Sequence, residues 1–212
     1  MHIVITGANR GIGAKLDADY TAAGHTVTGT ARNTAGLAPL EVTDKASQEA
    51  FAASLSQPID LLICNAGVYL DKGEAFEGYP PEMWAQTFAT NVTGVFLTVQ
   101  ALLPLLEQAK ASKIAIISSM MASHTRAPGG SYIYRSSKAA VLNLARNFAT
   151  DFKPKGIAVG AYHPGWVRTE MGGAEGDIEV EESAAGLMAE FDALSLETTG
   201  CFRTWDGRDH AY

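Results

Sequence analysis

Two hydrophobic patterns alternate along the whole 212-residue chain. Short apolar runs rich in β-branched residues give way to stretches in which apolar positions recur every three or four residues. The runs HIVITG, HTVTGTAR, IDLLICNAG, SKIAIISS, GIAVGAYHPG and TGCFRTWDG predict strands. IDLLICNAG is nearly continuous in its apolar character, as expected of a strand in a sheet covered on both faces. The helical pattern appears in GIGAKLDADYTAAG, which Gly24 closes, and in DKASQEAFAASL, which Asp44 caps. It returns in the long segment PPEMWAQTFATNVTGVFLTVQALLPLLEQAK, where Pro80 and Pro81 suit a helix start and Gly94 and Pro104 predict bends. A further helix runs from GGSYIYRSSK to about Asp151, and another covers VEESAAGLMAEFDAL. NTAGLAPLEV is long enough only for a turn and a short third strand around Leu40.

Strands alternating with helices imply right-handed crossovers, and hence a parallel, doubly wound α/β sheet of about seven strands with helices on both faces. No linker, repeat or low-complexity segment interrupts the pattern, so residues 1–212 read as a single Rossmann-like domain. Composition adds exclusions. The formal charge is −7, from 16 Lys and Arg against 23 Asp and Glu, which argues against nucleic acid or an anionic membrane as partner. No run of 18 apolar residues is present, so no membrane span is expected. The opening MHIVITG reads as a strand entering a turn, which leaves no room for a signal peptide, and a cytoplasmic location is the default expectation. Of the two cysteines, Cys64 lies within an apolar run and predicts a buried thiol rather than a disulfide. The five histidines have no metal-ligand spacing, so no metal is expected.

In open α/β sheets ligands sit beyond the carboxyl ends of the strands, where strand order reverses. The first such turn, TGANRGIG, carries Gly7, Gly11 and Gly13. This is not the G-x-G-x-x-G spacing, but the physics is shared: glycine lets the backbone approach a pyrophosphate at a helix N-terminus. The second strand ends in TARN, where a carboxylate would select an unphosphorylated ribose. Arg32 stands there instead, with Arg10 as a possible second cation, and the pair predicts NADP(H) over NAD(H), which remains possible.

Tyr132 and Tyr134 lie two residues apart, but only Tyr134 has a lysine, Lys138, one helical turn on. A phenol is a poor acid or base near neutrality unless a neighbouring ammonium stabilises its anion. Tyr134 is therefore the candidate proton donor and acceptor, and Lys138 its activator. Ser118 and Ser119 end the strand IISSM, and Ser119 is the choice for holding a substrate carbonyl oxygen.

Together these residues resemble the classical short-chain dehydrogenases/reductases. TGANRGIG, NAG (Asn65 to Gly67), NVTG, ISS, YRSSK and HPGWVRT match the family's motifs along the length of the chain. YRSSKAAVLN, HPGWVRTEMGG, VEESAAGL and GCFRTWDGRDHAY look like its C-factor and sniffer-type carbonyl reductase branch. The resemblance implies a catalytic set of Asn91, Ser119, Tyr134 and Lys138. Asn91 would hold a relay water, and Lys138 the nicotinamide ribose. It further implies cofactor contacts from Gly7, Asn9, Arg10, Gly11, Ile12, Gly13, Arg32, Glu41, Val42, Asn65, Ala66, Gly67, Pro164, Gly165, Val167 and Thr169. Glu41 stands where the family usually has Asp, which puts its bond to adenine in question. His163 replaces the commoner Asn and reads as structural. NVTG also fits a glycosylation sequon, a reading set aside without a secretory signal.

The family implies an oxidoreductase that interconverts a carbonyl and an alcohol. The substrate would be a small molecule, and the assembly a homodimer or homotetramer. Tyr69, Met120, Met121, Trp166 and Met171 are candidate apolar lining, and the short glycine-rich stretch after HPGWVRT suggests an open site. The alternative is a nicotinamide-binding signalling or regulatory protein of C-factor type with vestigial activity. A sugar-nucleotide epimerase is excluded by length.

Overall fold

A computed structural model describes all 212 residues. Its centre is a seven-stranded, wholly parallel sheet in the order β3-β2-β1-β4-β5-β6-β7. The strands are β1 (His2–Thr6), β2 (Thr26–Ala31), β3 (Ala38–Pro39), β4 (Leu61–Cys64), β5 (Lys113–Ile117), β6 (Ala158–His163) and β7 (Phe202–Thr204). The helices are α1 (Gly11–Ala22), α2 (Lys45–Ser54), α3 (Pro81–Phe88), α4 (Gly94–Leu106), α5 (Tyr132–Phe152) and α6 (Val180–Ala193).

Alternate strand residues feed two cores, because successive side chains leave a strand on opposite faces. Val4, Leu62, Cys64, Ile114, Ile116 and Val159 meet Phe51 of α2, Val99 and Leu102 of α4, and Val141 of α5. Ile3, Ile5, Leu61, Ile63, Ala115 and Tyr162 meet Leu16 and Tyr20 of α1 and Leu187 and Phe191 of α6. Strands buried on both faces explain why their sequences read as continuous apolar runs. Cys64 is among the buried residues; it is a free thiol, which burial pushes up to about 12.

Asp44 caps α2 as expected, its carboxylate accepting from the Ala46 N–H at 2.9 Å. Only six residues separate β2 from β3, and they form no helix. β3 is two residues long and carries Pro39, which an edge strand tolerates.

The long segment after Pro80 is more continuous than its sequence suggests. Helix runs from Pro81 to Leu106 through Gly94 and Pro104, and the irregularity falls earlier, in a π-helical turn at Ala89–Thr93. This stretch is long and apolar enough by composition to cross a membrane. Here Val95, Val99, Leu102 and Leu106 are spent on the core.

Because all strands are parallel, their carboxyl ends share one edge. The chain turns back between β1 and β4, the neighbours at which strand order reverses. That edge therefore collects the glycine turn after β1, Asn65 to Gly67 after β4, Ser118 and Ser119 after β5, and Pro164 and Gly165 after β6.

Candidate active site

A cleft of about 960 Å³ opens along this edge. Its walls include Gly7, Asn9, Arg10, Gly11, Ile12 and Gly13 on one side, and Arg32, Glu41 and Val42 beyond them. Asn65, Ala66 and Gly67 form the floor, and Ser118, Tyr134, Lys138, Pro164 and Thr169 the far end. Asn91, Ser119, Gly165 and Val167 are not among the residues that line it.

The glycine turn is held by its neighbours. Gly7 and Gly11 have φ of +68° and +54°, which favours glycine. A β-carbon on Gly13 would lie 2.3 Å from the Gly7 carbonyl oxygen and 2.4 Å from Asn65 Nδ2. Asn65 Nδ2 donates to the carbonyls of Thr6 and Gly7, each at 3.0 Å. Thr6 Oγ1 in return accepts from the N–H groups of Asn65 and Ala66. The turn is thus stapled to the end of β4. Helix α1 begins at Gly11 with no side-chain cap, and its first residues line the cleft. Uncapped N–H groups at a helix start suit a phosphate, so the residues present fit a dinucleotide pyrophosphate.

The charged residues divide. Arg10 pairs with Glu170 at 2.5 Å, across the mouth of the cleft. Arg32 is exposed at the end of β2 and has no ion-pair partner. The Glu41 carboxylate is taken up by its own loop, accepting from the Thr43 N–H and hydroxyl at 3.1 and 2.9 Å. Thr169 Oγ1 accepts from the Gly172 N–H at 3.0 Å, which fixes the turn after the Pro-Gly segment.

At the far end Tyr134 and Lys138 project inward from one face of α5, both nearly buried. Tyr132 instead is 42 % exposed and packs edge-on against Phe76 and Tyr79. Lys138 Nζ donates to the Ile117 carbonyl at 2.8 Å and sits 5.7 Å from the centroid of the Tyr134 ring. Burial lowers the Lys138 ammonium to about 8. Burial likewise raises the Tyr134 phenol well above its usual range; a hydrogen bond with Ser119 works against that, while Tyr69 and Asp71 add to it. The two serines separate by role: Ser118 Oγ donates to the Lys138 carbonyl at 3.2 Å and braces the helix, whereas Ser119 Oγ accepts from the Met121 N–H at 3.1 Å and lies beside the phenol.

Asn91 lies in the π-helical turn and is buried. Its Oδ1 accepts from the Val68 N–H at 2.8 Å, and its Nδ2 donates to the Val68 carbonyl at 2.9 Å and Ser137 Oγ at 3.0 Å. A β-carbon on Gly67 would lie 3.3 Å from Asn91 Oδ1 and 3.6 Å from Lys138 Nζ. The glycine therefore lets Asn91 and Lys138 come together. π-helical turns recur at functional sites because they re-aim a side chain within a helix.

Of the candidate lining residues, Tyr69 does more than line. Its ring stacks on Tyr134, with centroids 4.0 Å apart and an 18° interplanar angle. Trp166 and Met171 are partly exposed, and Trp166 Nε1 donates to the Gly172 carbonyl at 2.9 Å. Sequence reasoning missed Asp71, whose buried carboxylate accepts from the N–H groups of Ile133 and Tyr134. It also missed Lys72, whose Nζ donates to the carbonyls of Met171 and Gly172. The available signal was a lone carboxylate in the otherwise apolar GVYLD.

The short chain dehydrogenase family model matches residues 1–179. The C-signal of Myxococcus xanthus is 35 % identical over 165 residues, which cover 76 % of this chain and 97 % of that protein. The NADPH-bound carbonyl reductase from chicken fatty liver superposes with a TM-score of 0.93 at 31 % identity, covering 100 % of this chain and 98 % of that one. The carbonyl reductase Sniffer of Drosophila melanogaster shares the fold with a TM-score of 0.92 at 24 % identity, over 100 % and 99 % of the two chains. The likeness to the C-signal falls on the C-factor side of the family. The chain belongs to the short-chain dehydrogenase family and is an oxidoreductase of the carbonyl–alcohol couple.

Proposed function

We propose that this protein is an NADPH-dependent carbonyl reductase in which Tyr134 delivers the proton. The observation that carries the reading is the juxtaposition of Tyr134, Ser119 and Lys138 at the end of β5, where Tyr134 and Lys138 line the cleft that begins at the glycine turn. The NADPH held by the similar chicken carbonyl reductase supports the choice of cofactor. So does Arg32, a free cation at the strand end where a ribose 2′-phosphate would need one.

NADPH, when bound, supplies the hydride. The chain's own residues do the rest. Gly7, Asn9, Gly11, Ile12 and Gly13 accommodate the pyrophosphate, Arg32 the 2′-phosphate, and Ala66, Gly67 and Val42 the adenosine side. Pro164, Gly165, Val167 and Thr169 bound the nicotinamide end. Ser119 hydrogen-bonds the substrate carbonyl oxygen and brings it to the phenol. Tyr134 gives its proton to that oxygen as negative charge develops there. Lys138, as the ammonium, stabilises the phenolate that remains. Asn91 fixes the segment beside Lys138 through its two bonds to Val68. Most of the rate enhancement is positioning.

The test is NADPH oxidation with a panel of small aldehydes and ketones, on wild type and Tyr134→Phe. Turnover in wild type should fall by about 10²- to 10⁴-fold in the variant, with NADPH binding by fluorescence unchanged within about threefold. Undiminished turnover in the variant would remove Tyr134 from the chemistry. The likeness to a C-signal favours a second reading, a signalling use of the same site. A signalling effect that survives Tyr134→Phe would favour that reading over the enzyme.

A further inference from the structure

Helix α5 carries both Tyr134 and Lys138, so its placement sets the geometry of the site. Its first N–H groups need acceptors. An N-cap serine ordinarily supplies one to the second or third residue of the helix, and a serine, Ser131, does occupy the N-cap. Yet Ser131 is the one non-glycine residue with positive φ (φ 49°, ψ 43°), and its side chain makes no capping bond. Its hydroxyl instead pairs with the Tyr69 hydroxyl at 2.5 Å.

The cap comes from 62 residues away. Asp71 accepts from the Ile133 N–H at 2.8 Å through one oxygen and from the Tyr134 N–H at 3.2 and 3.3 Å through both. These are the second and third residues of α5, the donors a local cap would have taken. Asp71 is fully buried and belongs to no ion pair. A buried carboxylate is unfavourable unless it is fully hydrogen-bonded, and the positive end of the helix is what compensates it.

Tyr69 and Asp71 are two residues apart in a segment without helix, and both reach the start of α5. One takes the ring of Tyr134 by stacking, the other its backbone N–H. The segment is itself anchored, at Val68 by the Asn91 amide and at Lys72 through the carbonyls of Met171 and Gly172. A local serine cap would hold the helix without tying it to anything. The distant carboxylate joins the catalytic helix to the strand end that floors the cleft.

With Tyr134 as the proton donor proposed above, we infer that Asp71 is a positioning residue for it, a helix cap supplied from a distant part of the same chain that fixes the phenol against Ser119. The groups that face the phenol are Ser119, Lys138, Tyr69 and Asp71. Among them Asp71 is the one negative charge, and removing it should ease ionisation of the phenol.

Wild type, Asp71→Asn, Asp71→Ala and Tyr134→Phe should be compared with the aldehyde or ketone that wild type reduces fastest. Asp71→Ala should lower kcat by about 10- to 100-fold, the scale of a small misplacement of a reacting group, with NADPH affinity kept within about threefold. Asp71→Asn, which keeps one acceptor oxygen but not the charge, should recover part of that loss. In both, the titration of Tyr134 should move to lower pH. It can be read without turnover, as the tyrosinate absorbance that disappears when Tyr134→Phe is added to each background. An unmoved titration would overturn the proposal, and so would a kcat loss that merely follows falling Tm and NADPH affinity. Full activity in Tyr134→Phe would instead overturn the role of Tyr134 itself, which separates the two failures.

Discussion

At the residue scale, the site depends on which polar groups are already engaged. Arg10 and Arg32 look equivalent in sequence as phosphate-binding cations. In the fold Arg10 is paired with Glu170, whereas Arg32 is unpaired. A 2′-phosphate must displace a carboxylate to reach Arg10, but it meets Arg32 directly. Arg32→Ala should therefore raise the Kd for NADPH by about tenfold or more, as for loss of a charged hydrogen bond, and leave NADH binding nearly unchanged. Fluorescence titration with the two cofactors would show it. Equal losses for both would place the effect elsewhere than the phosphate. Tyr132 and Tyr134 diverge for a similar reason. The helical period puts Tyr134 one turn from Lys138, and burial then directs it into the cleft while Tyr132 remains at the surface.

At the scale of elements, local signals were reliable where the chemistry is local. Asp44 was legible as a cap because its acceptor and the Ala46 N–H are two residues apart. Asp44→Ala should lower stability by about 1 kcal/mol, seen as a drop in Tm of about 2–4 °C for a chain of this size, without change in NADPH affinity. Helix α5 is the opposite case. Its local cap, Ser131, is diverted and Asp71 replaces it from another part of the chain, which no window of sequence contains. The π-helical turn at Ala89–Thr93 was also hidden. Gly94 and Pro104 drew the expected bends to themselves, although helix continues through both.

For the whole molecule, His163 couples the sheet to the C-terminal segment. It ends β6, is buried, and has its Nδ1 without a hydrogen-bond partner. Desolvation first, then His210, Arg126 and Arg208, lower it to about 4, against an opposing effect of Asp206. The unfolded chain, with histidine near 6.5, binds more protons than the folded one between those two values. Stability should therefore be unaffected by this group above pH 6.5 and decline as pH falls toward 4, by about 3 kcal/mol. Denaturant midpoints across that range should show a shallower acid decline in His163→Asn. A parallel decline in both proteins would exclude His163 as its source.

The sequence by itself determined the alternation of strands and helices, the parallel sheet, the glycine turn and the pairing of Tyr134 with Lys138. All of these follow from periodicity or from spacing within a turn or two. Only the tertiary structure decided which arginine is free, and that Asn91 grips Val68 while Asp71 caps α5. Those relations join residues tens of positions apart at the ends of parallel strands. Strand order and burial bring them together there, and neither is written in any local stretch of the chain.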